Sequence, residues 1–529
     1  MADDITRYDA VEAYCDSLSY APGSTLSLHV SSRATRYDVA IERWGATRET
    51  VWSADGLDGI EHPVPDDADA SGCDWPVGLT VEVGADWRSG FYLVTLTADD
   101  APADRAIGYA CFVVRCRSDV DDSTSTGALA GEPARPRRRA LFVLATNTWN
   151  AYNNWGGVSL YTGGNTVSFA RPFGRGMLVR PEIERDDRKS RPRYRGEEPD
   201  VDGTIYQDYR YANGYPGFMA SAGWFTYERR FVEWAEGAGY EFDYAVSSDL
   251  ERIPEVADGY DLIIGVGHDE YWSAGQRATI EAHLARGGNY ASFSGNTMFW
   301  QVRLASDGRS MLCHKYAAHT VDEVVGTDAQ ATMTGMWCDP LIGNPEWRVL
   351  GGGSAFGLYS RFGMATPRGS GAFTVYRHDH WLFEGTGLRY GDQLGVDDGV
   401  VGYETVGCKL DFDEFQLPIA RPGEDLPEIV EVVAFTPSSN LAMGEYPASI
   451  AALDDQGDLE FIAERVYGGV TDDNLARARH GNAVMLTCRP LGPDAGEVVT
   501  VGSTDWVFGL ANDPQVAQVT LNVLSRYAD

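Results

Sequence analysis

The sequence predicts an α/β protein, in which an immunoglobulin-like β-sandwich precedes a doubly wound α/β core with long insertions. Three observations carry this reading. The first ~115 residues alternate apolar and polar positions between turn signals, as half-buried strands do. Continuous apolar runs then alternate with stretches of helical spacing, as parallel strands and their crossover helices do. Between the two, "SDVDDSTSTGALAGEPARPRRR" has no period and is rich in Gly, Pro and polar residues. The expected division is a sandwich over residues 1–117, a linker over 118–139 and an α/β catalytic domain over 140–529.

In the sandwich the expected strands are "STLSLHVSS", "RYDVAIERWG", "GLTVEVG", "GFYLVTLTA" and "IGYACFVVR", short and rich in β-branched and aromatic residues. In the core, "ALFVLAT" and "DLIIGVG" are the unbroken apolar runs that buried parallel strands require. "YERRFVEWAEGAG" and "SAGQRATIEAHLARGG" repeat apolar residues at helical spacing and end in glycine. "YEFDYAV" and "NYASFSG" supply further strands, and "GEVVTVGSTDW" with "PQVAQVTLNVLSRY" closes the chain with one more β–α pair. This alternation predicts a flavodoxin/glutamine-amidotransferase-like core. The stretch from about Met298 to Ala495, with short strand-like pieces and many glycines, reads as its insertions.

Composition narrows the function. A chain of 529 residues exceeds one ordinary hydrophobic core. No apolar run reaches the ~20 residues that span a bilayer, and the start lacks a basic region followed by an apolar one, so a cytoplasmic protein is expected. Eight cysteines without a CxxC pair suggest reduced thiols. The net charge is −35 and only three lysines accompany the arginines. Carboxylates spread so widely repel one another in dilute buffer and are screened at high salt, which points to a halophilic, acidic protein. Nucleic acid and anionic membranes are poor partners for such a surface.

Several chemistries are missing. "GVGHDE" begins like a dinucleotide fingerprint, but Glu270 stands where the third glycine belongs and would repel a pyrophosphate. There is no GxSxG elbow, no cysteine at a strand-to-helix turn and no phosphate-binding loop. "HDH" at His378–His380 lies in a strand-like stretch and is a weak metal candidate.

Polar residues gather instead where strands end, which is where open α/β sheets bind ligands. "NTWNAYNNWGGVSLYTGG" follows one strand, His268-Asp269-Glu270 another, and Asn296 a third. Tyr152, Tyr161, His268, Glu270 and Asn296 are therefore directed to one edge. Phenolate and carboxylate are hard oxygen donors, suited to a hard trivalent metal such as Fe(III). Ordinary aromatic packing is the competing reading of the tyrosines, since 12% of the chain is aromatic.

At these residues the chain resembles the large (beta) subunit of N,N-dimethylformamidase, in its C-terminal catalytic region. "TWNAYNNWGG", "SLY", "GHDEYW", "GGNYASFSGNTMFW" and "GYE" at Gly402–Glu404 all fit that pattern. The resemblance implies a mononuclear Fe(III) held by two tyrosines and one carboxylate, here Tyr152, Tyr161 and Glu270. It implies catalytic roles for His268, Asn296 and Glu404, with Glu404 or His268 as general base. Asp269 would point away as a helix cap, and Tyr271 and Trp272 would pack the pocket wall. Trp149, Trp155 and Phe299 would exclude bulk water. The implied function is hydrolysis of the C–N bond of a small amide by a hydrolase of linear amides. A small subunit or a homo-oligomer would complete the assembly. The alternatives are a noncatalytic scaffold that retains the fold, or hydrolysis of another C–N or ester bond at the same centre.

The dispersed carboxylates generate a first prediction. The melting temperature should rise as potassium chloride approaches molar concentration. A flat or falling series would rule out salt adaptation.

Overall fold

A computed structural model describes residues 9–116, 140–181, 215, 218–362, 365–367, 369–421, 426–446 and 457–528. The linker expected at 118–139 lies outside these residues. The protein is a mixed α/β structure.

The N-terminal strands form two sheets. One holds Val11–Cys15, Thr25–Ser32 and Val77–Glu82; the other orders Ser19–Tyr20, Ile107–Val114, Gly90–Ala98, Arg36–Trp44 and Arg48–Asp58. Strand periodicity shows directly in the packing. Along Gly90–Ala98, Tyr92, Val94 and Leu96 join a cluster shared between the two sheets, with Val11, Leu28 and Val81. Phe91 and Leu93 point the other way, into the large core that also holds Phe142, Trp149 and Trp224. Phe91 stacks on Trp224 with ring centroids 4.1 Å apart. Gly90–Val94 of this central strand is thus buried on both faces. Polar bonds hold its contact with the α/β body: Arg43 to Glu236 at 2.6 Å, and Tyr244 N–H to Ser89 Oγ at 2.8 Å.

The central sheet contains five parallel strands in the spatial order Asp243–Val246, Ala140–Leu144, Leu262–His268, Asn289–Gly295 and Val498–Thr500. By chain order this is 2-1-3-4-5. The reversal falls between Ala140–Leu144 and Leu262–His268, so a crevice opens beyond the carboxyl ends of those two strands. Helices cover both faces. Phe231 and Val232 of Glu228–Gly237 and Val519 and Val523 of Pro514–Tyr527 join one core cluster. Leu250 of Ser247–Arg252 and Ile280 and Leu284 of Ala274–Ala285 join the other. Alternate residues of one strand serve the two: Phe142 and Leu144 in the first, Leu141 and Val143 in the second.

Part of the stretch expected as insertions extends this sheet. His480–Arg489 pairs antiparallel with Val498–Thr500, and Ile429–Ser439 pairs in turn with His480–Arg489. Short strands Tyr359–Ser360 and Tyr403–Glu404 follow, and this extension brings Glu404 back toward the crevice. Among the described residues no helix is long and apolar enough to cross a membrane. None of the eight cysteines is joined in a disulfide among the described residues.

The helix Thr146–Tyr152 carries the first tyrosine of the expected site and is tied down by Trp149, whose indole N–H donates to Glu228 at 2.8 Å. Burial pushes the Glu228 carboxyl up to about 8 from an ordinary 4.5, against that hydrogen bond. The folded chain then keeps a proton that the unfolded chain releases between about pH 4.5 and about pH 8. Stability falls as pH rises through that window and is level above it. Glu228→Gln keeps the acceptor and removes the ionisation. Urea melts should show it gaining on the wild type at about pH 9 and not at about pH 5; an equal change at both would contradict the shift.

Candidate metal centre

The crevice is built by three loops that leave parallel strands. Gly267, at φ +79°, lets the chain turn at the end of its strand; a Cβ there would lie 2.3 Å from the Cβ of Tyr227. The next residues are fixed by Thr148, whose hydroxyl accepts from the backbone N–H of Glu270 at 2.9 Å and of Tyr271 at 3.2 Å. The loop after Gly295 is fixed in turn by Glu270, whose carbonyl accepts from Phe299 and Trp300 at 2.9 and 3.0 Å. Gly295 itself admits the incoming strand, since a Cβ would lie 2.2 Å from the Glu404 carbonyl. Between the two tyrosines, the buried Arg171 guanidinium donates to the carbonyls of Asn153, Trp155 and Val158 at 2.7, 2.5 and 3.0 Å. It rivets a segment that has no regular ladder of its own.

These supports bring the six expected residues together. Tyr152 donates to Glu270 Oε2 at 2.9 Å, and Tyr161 reaches Oε1 and Oε2 at 2.9 and 2.8 Å. The two phenol rings stack 4.2 Å apart. His268 Nε2 lies 3.2 Å from Glu270 and 2.6 Å from Glu404. Asn296 Nδ2 donates to Glu404 Oε2 at 3.0 Å. All are buried except Tyr161, which is half-buried.

Electrostatics fit a cation. Burial, then the charge of Glu270, drives both phenols far above their ordinary range, so without a counter-ion they are neutral donors. Burial also raises the Glu404 carboxyl. Burial opposes Glu270 as well, but His268, Lys315 and Tyr161 outweigh it and hold that carboxyl below its ordinary value. Burial disfavours the imidazolium, yet Glu404 and Glu270 hold His268 up at about 10. Despite its closeness to both carboxylates, His268 Nε2 has no aligned hydrogen-bond partner among the described residues, and neither has Asn296 Oδ1. The Ser221 carbonyl, 2.6 Å from Nδ1, fixes a proton on that nitrogen. Buried polar atoms left without partners cost stability unless something else meets them. A metal ion is such a group: one ligand atom each from His268, Glu270 and Glu404 lie within 4.8 Å of one another. The phenol oxygens of Tyr152 and Tyr161 border the same space, so the hard-oxygen set is present beside the histidine.

Three expectations fail on contact geometry. Asp269 does not cap the following helix; Ser273 does, accepting from Gln276 N–H, while Asp269 is buried. Trp272 faces the other side of the sheet, edge-on to Tyr290, whereas Tyr271 joins the centre by donating to Tyr161 at 2.8 Å. Trp149 and Trp155 are spent on Glu228 and Glu12, so they wall other contacts. The ring beside the tyrosines is Phe218, 5.2 Å from Tyr161. Two nearby groups were not singled out by sequence. Lys315 Nζ sits 3.2 Å from the Tyr161 ring centroid, and Tyr403 Oη lies 3.1 Å from His268 Nδ1. Tyr403 stands inside the "GYE" motif, so its neighbour Glu404 was the signal for it.

No curated protein matches the chain. A chain from a solved structure on T cell specificity and activation by the bacterial superantigen toxic shock syndrome toxin-1 is similar at 14% identity over 20% of this chain and 98% of that one. Its TM-score is 0.14, too slight a likeness to bear on the fold. The family model described as "N,N-dimethylformamidase beta subunit-like, C-terminal" matches residues 37–518. This match spans most of the chain and includes every residue of the centre, and the protein belongs to that family.

Proposed function

We propose that the protein is an iron-dependent amidohydrolase that cleaves the C–N bond of a small amide. The observation that carries this is the gathering of two phenols, two carboxylates and an imidazole at Tyr152, Tyr161, Glu270, Glu404 and His268, with His268 Nε2 and Asn296 Oδ1 left unmatched among the described residues. A noncatalytic scaffold has no use for so many buried titratable groups, each costly to place away from water. The same reading takes the N-terminal sheets as an immunoglobulin-like sandwich. The 2-1-3-4-5 strands then form a flavodoxin/glutamine-amidotransferase-like core.

Tyr152, Tyr161 and Glu270 would hold the metal, as hard anionic oxygens hold a trivalent ion. Bound there, Fe(III) would supply Lewis acidity toward an amide carbonyl and lower the pKa of water. The remaining steps belong to this chain's own side chains. Glu404, raised by burial, accepts the proton of the attacking water and returns it to the leaving amine. Asn296 orients Glu404 through its 3.0 Å bond and offers its free Oδ1 to substrate or water. His268, fixed by Ser221, turns Nε2 toward the reacting group. Phe218 and the tyrosine rings limit water and admit a small, weakly polar substrate. A partner subunit belongs to this reading through the family's beta-subunit-like description.

Phenolate bound to Fe(III) absorbs visible light, so concentrated protein should be coloured. Tyr161→Phe removes one oxygen and keeps the stacked ring; it should lose iron and colour with a stability change of about 1–2 kcal/mol. Glu270→Gln should do the same. His268→Ala should retain iron and lose formamide hydrolysis. Full iron and activity in Tyr161→Phe would remove that tyrosine from the ligand set. Loss of metal in His268→Ala would move ligation to His268, Glu270 and Glu404.

A further inference from the structure

A second cavity, of about 820 Å³, opens elsewhere on the α/β body and shares no lining residue with the Glu270 centre. The chain carries 78 acidic against 43 basic residues, so a surface chosen at random is acidic. Against that background Lys409, Arg421, Arg477 and His480 line this cavity. The acids that pair with two of these cations stay outside the lining: Asp411 at 2.9 Å from Arg421 and Asp473 at 2.8 Å from Arg477. Lys409 forms no ion pair among the described residues. Its ammonium instead lies 5.0 Å from the Phe356 ring and 5.4 Å from the Tyr467 ring.

The walls are aromatic. Trp347, Phe356 and Tyr467 are half-buried, so each keeps ring surface free, and Trp347 and Phe356 lie 4.9 Å apart. Two helices end here, and their last carbonyls would oppose an anion. Asparagine side chains cover them: Asn440 donates to Ala478 O at 2.7 Å and Asn474 to Tyr467 O at 3.0 Å. The helix ends are thereby blunted.

We propose that this cavity binds an organic anion bearing a planar ring. The ring would lie against Trp347, Phe356 and Tyr467, and the anionic group would meet Lys409, Arg421 and Arg477. A cavity of this size suits a mononucleotide or a polycyclic aromatic acid. Phosphate and carboxylate share the recognition chemistry.

Titration calorimetry on the full chain tests this, with adenosine monophosphate and 2-naphthoate as probes and adenosine and inorganic phosphate as controls. At least one probe should bind, and which one does identifies the anionic group. Lys409→Met, an exposed change that leaves the fold intact by melting, should weaken that binding by about tenfold or more. Trp347→Leu should weaken it similarly, and Glu270→Gln should leave it unchanged, which separates this site from the metal centre. Neither probe binding, or equal affinity in Lys409→Met, would overturn the proposal. Phosphate binding as tightly as the nucleotide would overturn its aromatic part.

Discussion

The structure around the crevice depends on one constraint: the Glu270 carboxylate is 3% exposed and must be met by donors it cannot obtain from water. Two phenols meet it, and each must be delivered from a distant segment. Tyr152 comes from the helix after Ala140–Leu144, and Tyr161 from the loop pinned by Arg171. The backbone of Glu270 repeats the demand, taking Thr148 on its N–H and the loop of Phe299 and Trp300 on its carbonyl. Three strand ends are thereby locked to one residue. The parallel sheet supplies the place, because the reversal in its strand order leaves a gap between Ala140–Leu144 and Leu262–His268.

A second cluster in the same molecule shows what such donors do when they only stabilise. Asp458 accepts from Tyr316, Tyr359 and Tyr446 at 2.8, 2.6 and 2.5 Å. It is as buried as Glu270, and none of these oxygens lacks a partner. At the Glu270 centre, by contrast, His268 Nε2 and Asn296 Oδ1 remain unmatched. Tyrosine and carboxylate together are thus not diagnostic of a metal. The closed network around Asp458 differs from the crevice in having no such unmatched atoms among the described residues.

Much of the site was legible because its residues follow strands whose apolar runs are unmistakable. "DLIIGVG" and "NYASFSG" became Leu262–His268 and Asn289–Gly295, and the helix Pro514–Tyr527 has the limits its spacing suggested. The strand Arg48–Asp58 was missed because it lies at a sheet edge, largely in contact with solvent, and carries little apolar alternation. Ile429–Ser439 was hidden by a proline at 437 and by a partner strand about forty residues away. Lys315 gave no signal, since its approach to Tyr161 arises from tertiary packing of a short turn rather than from any spacing. The expected aromatic wall failed for a related reason: local density of Trp and Phe does not say which way a ring faces. Trp149 and Trp155 are instead buried against Glu228 and Glu12.

The central claim is that two phenols and Glu270, rather than the histidine and the second carboxylate, bind the metal. Anomalous X-ray diffraction at the iron absorption edge, on crystals of the protein as purified, tests it most directly. The account predicts one iron peak bonded to the oxygens of Tyr152, Tyr161 and Glu270, with His268 and Glu404 beyond bonding distance. A peak ligated by His268, Glu270 and Glu404, or no iron at the crevice, would contradict it.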